Sequence, residues 1–137
     1  MQADPRYGDV VAEVTEYLAA KAEEARAAGV EEVWVDPGIG FGKTADHNVE
    51  LLRDLGTLRA LDRPILFGTS RKSTLGRILE LPEDQRLEAT LATTALGVAA
   101  GVDVIRVHDV EANVRAARVA DAIVRGTWRV DAPRGVR

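Results

Sequence analysis

The feature that most restricts the fold of this chain is a repeated change of hydrophobic period. Stretches with apolar residues every three or four positions alternate with short β-branched runs, and each run ends in a polar segment. Such alternation builds parallel sheets through right-handed helical crossovers. Apolar Val10, Val11, Val14, Tyr17, Leu18 and Ala25 predict an amphipathic helix from Val10 to Ala28, which Gly29 stops. Val33 to Asp36 (VWVD) reads as a strand, ended by Pro37 and the glycines behind it. Asp46 is placed to cap a second helix whose inner side carries Val49, Leu51, Leu52, Leu55, Leu58 and Leu61, with Gly56 as a weak point. Pro64 to Gly68 (PILFG) has the continuous apolar character of a parallel strand covered on both faces. A short helix is expected near Ser73 and a longer one from Leu87 to Ala100. VDVIRVHD then supplies a third strand, Val110 to Arg125 a last helix, and residues 126–137 a tail.

The fold class is therefore α/β. Three strands leave two unpaired edges, and a closed (β/α)8 barrel takes about 250 residues, so the sequence reads as part of such a barrel. Residues 1–125 belong to that unit. With 46% hydrophobic and 29% charged residues the composition is that of an ordinary globular domain. A net charge of -4 without a basic stripe argues against a nucleic-acid partner. The absence of cysteine excludes disulfides and thiolate metal sites, and His47 and His108 are too few for a histidine metal cluster. No signal-peptide core and no membrane-length apolar run stands in the sequence, so a cytoplasmic location away from membranes is expected.

Ligands of parallel α/β folds bind at the carboxyl ends of strands, and three polar segments fall at such ends. The first is DPGIGFGKT, beginning at Asp36. It fails as a P-loop, because Pro37 stands where the first glycine is needed, and it fails as a dinucleotide fingerprint, because Lys43 stands where the last is needed. Its glycines allow close backbone approach to a flat ligand, beside the carboxylate of Asp36. A turn in which Asp36 only caps nearby amides is the alternative. The second segment, GTSRKS (Gly68 to Ser73), places Arg71 and Lys72 before a helix N-terminus, where anions are attracted. Alternatively one of the two cations pairs with a nearby carboxylate. The third segment, RVHD, places Arg106 and His108 two residues apart on a buried strand, hence on one side, as a clamp for phosphate oxygens. A core histidine and a structural pair of Arg106 with Asp36 or Asp109 are the alternatives. Trp34 reads as packing, and His47 with Asn48 as an exposed helix start.

In order and spacing, DPGIGFGKT followed by His47-Asn48, then GTSRKS with Leu75-Gly76, then RVHDV resemble dihydropteroate synthase. The opening MQADPRY is similar to the stretch after the fifth barrel strand of that family. The resemblance runs from Met1 to about Arg125 and implies strands six, seven and eight of its (β/α)8 barrel. It implies a transferase of folate biosynthesis that condenses 6-hydroxymethyl-7,8-dihydropterin diphosphate with 4-aminobenzoate. Asp36 then matches the acid on the pterin's amino-pyrimidine edge, and Lys72 the lysine against the pterin ring. Arg106 and His108 match the diphosphate clamp. Gly40 and Phe41 match the loop lining both pockets, and Ser73 the group near the aminobenzoate carboxylate.

The resemblance also implies magnesium, with its ligands outside these residues, and a homodimer through the late helices. The family's first strand-end loops are missing from this sequence, so no turnover is expected of these residues alone. Two rival readings are a pterin-binding methyltransferase of the methyltetrahydrofolate type and a half-barrel that serves as an interaction module.

Overall fold

A computed structural model describes residues 5–128; the opening MQAD and the tail from 129 onward lie outside the described residues. Helix α1, Val10–Ala27, begins where the Asp9 carboxylate accepts from the amides of Val11 and Ala12 at 3.0 and 2.9 Å. It buries Val10, Val14 and Ala22, whereas Tyr17, expected on the same stripe, stays 62% exposed. Helix α2, Ala45–Arg53, is capped by Thr44 and not by Asp46. Thr44 Oγ1 accepts from the His47 amide at 3.2 Å, and His47 Nδ1 accepts from the Thr44 amide at 3.3 Å. This reciprocal box satisfies two helix-end donors at once.

The expected long second helix breaks at Asp54 into a 3₁₀ turn, Leu55–Leu61. Gly56 weakens the α-helix there, and a three-residue repeat turns both Leu55 and Leu58 inward. Val49, expected inside, is left exposed.

Strands β1, Leu66–Phe67, and β2, Val104–Ile105, pair in parallel, Leu66 opposite Val104 and Phe67 opposite Ile105. The expected first strand contracts to one parallel bridge between Val35 and Ile65. Two hydrogen bonds close it, from the Val35 amide to Pro64 O at 2.9 Å and from the Leu66 amide to Val35 O at 2.8 Å. Side chains alternate across an extended segment, so burying Val35 turns Trp34 outward, and Trp34 is 47% exposed rather than packed. The three segments lie in chain order with β1 in the middle, and their carboxyl ends face one way.

Helix α3, Ser73–Leu79, and helix α4, Leu87–Ala100, follow β1, while helix α5, Val110–Arg125, follows β2. Left-handed Gly101 and Gly126, at φ 84° and 62°, terminate α4 and α5. Helix α4 packs on α5, where Thr94 Oγ1 lies 2.6 Å from Asn113 Oδ1. Val35, Ile39, Leu51, Leu55, Leu58, Ile65, Phe67 and Val102 form the core with Val10 and Val14. Phe67 is fully buried at 0% exposure and lies so close to α4 that a Cβ at Gly97 would sit 3.0 Å from its ring.

Phe67 is the side chain on which the middle strand rests. Phe67→Ala is expected to lower unfolding stability by about 3–5 kcal/mol in urea denaturation, and a loss below about 1 kcal/mol would contradict this packing.

Candidate anion-binding site

The loop after Val35 is held mostly by its own polar groups. Asp36 Oδ1 accepts from the Gly38 amide at 2.7 Å, and Lys43 Nζ donates to Gly38 O and Phe41 O at 3.2 Å each. Asn48 Oδ1 accepts from the Gly40 amide at 2.8 Å, while its Nδ2 donates to Thr44 O at 2.8 Å and Thr74 Oγ1 at 3.1 Å. Asn48 is 2% exposed, so it is a buried clasp between the glycine loop and α3 and not an exposed helix start. Its place one turn inside the Thr44 cap is the signal that sequence reasoning passed over. Gly40 has φ 82°, and a Cβ there would come within 3.1 Å of Lys72 Cδ. A side chain at that position would push Lys72 aside.

The second and third loops are fastened to each other at two adjacent positions. Arg71 adopts a left-handed backbone at φ 58°, unusual for a residue with a side chain. Arg86 Nη1 donates to Arg71 O at 2.8 Å and holds that conformation from one side. On the other, Arg71 makes a two-toothed pair with Asp109, Nη2 to Oδ1 at 2.9 Å and Nε to Oδ2 at 3.2 Å. One position back, Ser70 Oγ is 2.8 Å from His108 Nδ1 and accepts from the His108 amide at 3.1 Å. These linking roles of Ser70, Arg71 and Asp109 were not distinguishable in sequence from surface charge.

Arg106 and His108 do not lie in a buried strand. Strand β2 ends at Ile105, and both residues are exposed in the loop beyond it. They nevertheless share one concavity of about 220 Å³ with Gly68, Ser70, Lys72 and Val107. The Arg106 guanidinium lies over Gly68, where a Cβ would meet its Nε at 3.3 Å. Asp109 is taken by Arg71, and among the described residues Arg106 forms no ion pair. The two cations of GTSRKS therefore diverge. Arg71 serves structure, whereas Lys72 turns to the site, its Nζ donating to Ile39 O and standing 4.7 Å from the centre of the Phe41 ring.

Lys72 connects this concavity to the first loop. Partial burial lowers its pKa from the ordinary lysine value of 10.5, Asp36 acts to raise it, and Arg106 and Lys43 lower it further. Burial lowers the Lys43 pKa as well, against the pull of Asp36. Asp36 itself lines a neighbouring recess of about 370 Å³ with Tyr7, Tyr17, Pro37, Gly38 and Lys43. Ser73 stands apart. It lines a third recess of about 280 Å³ with Gly40, Gly42, Asn48 and Arg77. Lys72, Arg106 and His108 are thus brought together, Asp36 and Gly40 adjoin them through Lys72, and Ser73 opens on the other side of the loop.

Magnesium binding favours several hard oxygen ligands. Among the described residues no three His, Asp or Glu side chains gather in one place. Asp36 has one oxygen engaged by Gly38 and faces two lysines. The side chains present do not fit that ion, so no step is derived through it.

Parallel strands with a cationic concavity at their carboxyl ends define the α/β class, in which ligands bind at that end of the sheet. Residues 1–108 match the family model described as pterin binding enzyme, and the chain belongs to that family. It is 45% identical over 132 residues to a dihydropteroate synthase of Synechocystis sp., covering 94% of this chain and 44% of the relative. With the Escherichia coli K12 dihydropteroate synthase it shares 40% identity, covering 89% of this chain and 44% of that one.

Among solved structures, a Yersinia pestis dihydropteroate synthase in a sulfonamide drug complex superposes with a TM-score of 0.87 at 35% identity, over 93% of this chain and 47% of that chain. A Thermus thermophilus dihydropteroate synthase in complex with 4-aminobenzoate gives 0.83 at 44% identity, over 88% and 52%. The chain thus spans less than half the length of these curated relatives, and its fold is that of part of a TIM-barrel enzyme. No described helix is long and apolar enough to cross a membrane.

Lys21, Lys43 and Lys72 are the only lysines, which makes their titration separable. The hydrogen bond that Lys21 donates to Glu24 raises Lys21, while burial lowers Lys43 and Lys72. For the two lowered groups the folded chain binds fewer protons than the unfolded one between the folded value and 10.5, so their contribution to stability rises with pH there. In ¹³C spectra of the dimethylated chain one resonance should titrate above the ordinary lysine midpoint and two below it. A common midpoint would contradict this electrostatic picture.

Proposed function

We propose that these residues form the pterin and diphosphate face of a dihydropteroate synthase, as strands six to eight of its barrel. The barrel unit takes residues 1–125, with 126–137 as its tail. The observation that carries this reading is the meeting of Lys72, Arg106 and His108 around one concavity at the ends of β1 and β2. Two cations at one spot, Lys72 and Arg106, repel each other unless an anion lies between them, and His108 adds a ring nitrogen to the same lining. A diphosphate offers several acceptor oxygens to a guanidinium and an imidazole. Next to them, the recess lined by Asp36 gives a flat heterocycle a carboxylate acceptor at its edge.

The substrates are then 6-hydroxymethyl-7,8-dihydropterin diphosphate and 4-aminobenzoate. The carbon–oxygen bond of the pterin methylene breaks, diphosphate leaves with the electron pair, and the aromatic amine forms the new carbon–nitrogen bond and loses a proton. Arg106 and His108 act on the leaving oxyanion, whose charge grows as that bond breaks. Lys72 lies against the pterin ring. Gly40 gives Lys72 its room, and Phe41 flanks it at the mouth of the site. Ser73, at the start of α3, lines the recess beside Gly40, and we assign it to the aminobenzoate carboxylate. The complexes of relatives with pteroic acid and with 4-aminobenzoate support this choice of substrates. A cytoplasmic enzyme and a homodimer belong to the same reading. Exposed Ile78 on α3 and Leu96 on α4 offer apolar surface for self-association.

Calorimetric titration with inorganic diphosphate tests the assignment. The chain should bind it saturably, and Arg106→Ala should weaken binding by at least about tenfold, roughly 1.4 kcal/mol. Pterin fluorescence should change saturably and lose that response in Asp36→Asn. Equal diphosphate binding by the chain and by Arg106→Ala would favour the methyltransferase reading, in which no diphosphate departs.

A further inference from the structure

We propose that Ser70 is a positioning residue that holds His108 as the Nε2–H tautomer, so that the imidazole presents a neutral N–H donor to the anion while Arg106 supplies the charge. The functional half of this proposal rests on the diphosphate reading of the concavity, but the tautomer itself does not.

The geometry points to it through a count of donors and acceptors. Ser70 Oγ accepts one hydrogen bond, from the His108 backbone amide at 3.1 Å. It also lies 2.8 Å from His108 Nδ1. A hydroxyl has one proton to donate, and Ser70 is buried. Among the described residues no other acceptor for that proton stands among its hydrogen bonds. Were Nδ1 protonated, the ring would donate to Ser70 and leave the hydroxyl proton without an acceptor among the described residues, which costs free energy. The arrangement that uses every group sends the Ser70 proton to Nδ1. In the neutral ring the proton then stands on Nε2, directed away from Ser70. The ring lines the concavity shared with Arg106 and Lys72, so the outer nitrogen is the one left for a ligand.

The same hydroxyl ties the ring and the backbone of one residue to a loop that is itself fixed. The next residue, Arg71, is paired with Asp109, the residue after His108. His108 is thereby oriented before any ligand arrives. A donor preorganised in this way spends less ordering entropy on binding than a freely rotating ring.

The ¹⁵N spectrum of the histidine rings, recorded on the full chain at about pH 8 where an ordinary imidazole is neutral, tests the proposal. His47, the other histidine, is assigned through His47→Gln. The wild-type His108 is expected to show an unprotonated Nδ1 and a protonated Nε2. Ser70→Ala should move both resonances toward the averaged values of a free imidazole, and Ser70→Thr, which keeps the hydroxyl, should restore the wild-type pattern. Diphosphate affinity should fall about two- to tenfold in Ser70→Ala, the cost of ordering one freed side chain, and return in Ser70→Thr.

An Nδ1–H ring or an averaged spectrum in the wild type overturns the proposal, as does an unchanged spectrum in Ser70→Ala. Should Ser70→Ala fail to fold, the wild-type and Ser70→Thr spectra decide it. Failure of the wild type to bind diphosphate, with the expected spectrum intact, overturns the diphosphate reading and leaves the tautomer standing.

Discussion

The parallel pairing of three short segments through Ile65, Leu66 and Phe67 is the constraint on which the rest of the structure depends. Val35 bridges Ile65 on one side, and Val104 and Ile105 pair with Leu66 and Phe67 on the other. Parallel pairing makes all three chains leave the sheet at the same end, so three loops distant in sequence emerge side by side. Phe67, buried against Gly97, anchors the middle segment to α4. The small number of ladder bonds is offset by the core beneath, where Ile39, Leu51, Leu55 and Leu58 pack on the same segments. Cationic side chains at one end of the sheet follow from this pairing together with the loop sequences.

What the pairing brings near, polar clasps hold in place. Asn48 ties the glycine loop to α3. Ser70 and Arg71 tie the second loop to the third through His108 and Asp109. Of the clasping groups, Ser70 and His108 also line the concavity, and Asn48 lines the recess beside Ser73. A site of like charges cannot hold itself together in the absence of an anion. Pairing Arg71 off with Asp109 leaves Lys72 and Arg106 to face the ligand, and partial burial of Lys72 makes its charge costly until an anion arrives.

Much of this was legible in the residues themselves. The bounds of α4 and α5 follow from periodicity and from the glycines at 101 and 126, and the three loops lie where the alternation of elements places them. The family follows from three motifs in a fixed order, and residues 1–108 carry it. Other features depended on contacts between distant segments. Whether Asp46 or Thr44 caps α2 turns on the His47 ring, which only a reciprocal hydrogen bond selects. Arg71 and Lys72 are neighbours of like charge, and only the left-handed backbone at Arg71 sends them to different partners. Hydrophobic pattern reports burial and not ladder bonds, so it overstates strand length. Val33 to Asp36 alternates like a strand, yet only Val35 pairs.

The central claim is that the second and third loops together form one anion site. Amide chemical-shift mapping of the ¹⁵N-labelled chain during titration with inorganic diphosphate tests it most directly. The account predicts that Gly68, Ser70, Lys72, Arg106 and His108 shift along one saturation curve while amides of the opposite sheet end, such as Arg63 and Asp103, stay still. Shifts confined to one loop, or spread over both ends of the sheet with different midpoints, would contradict it.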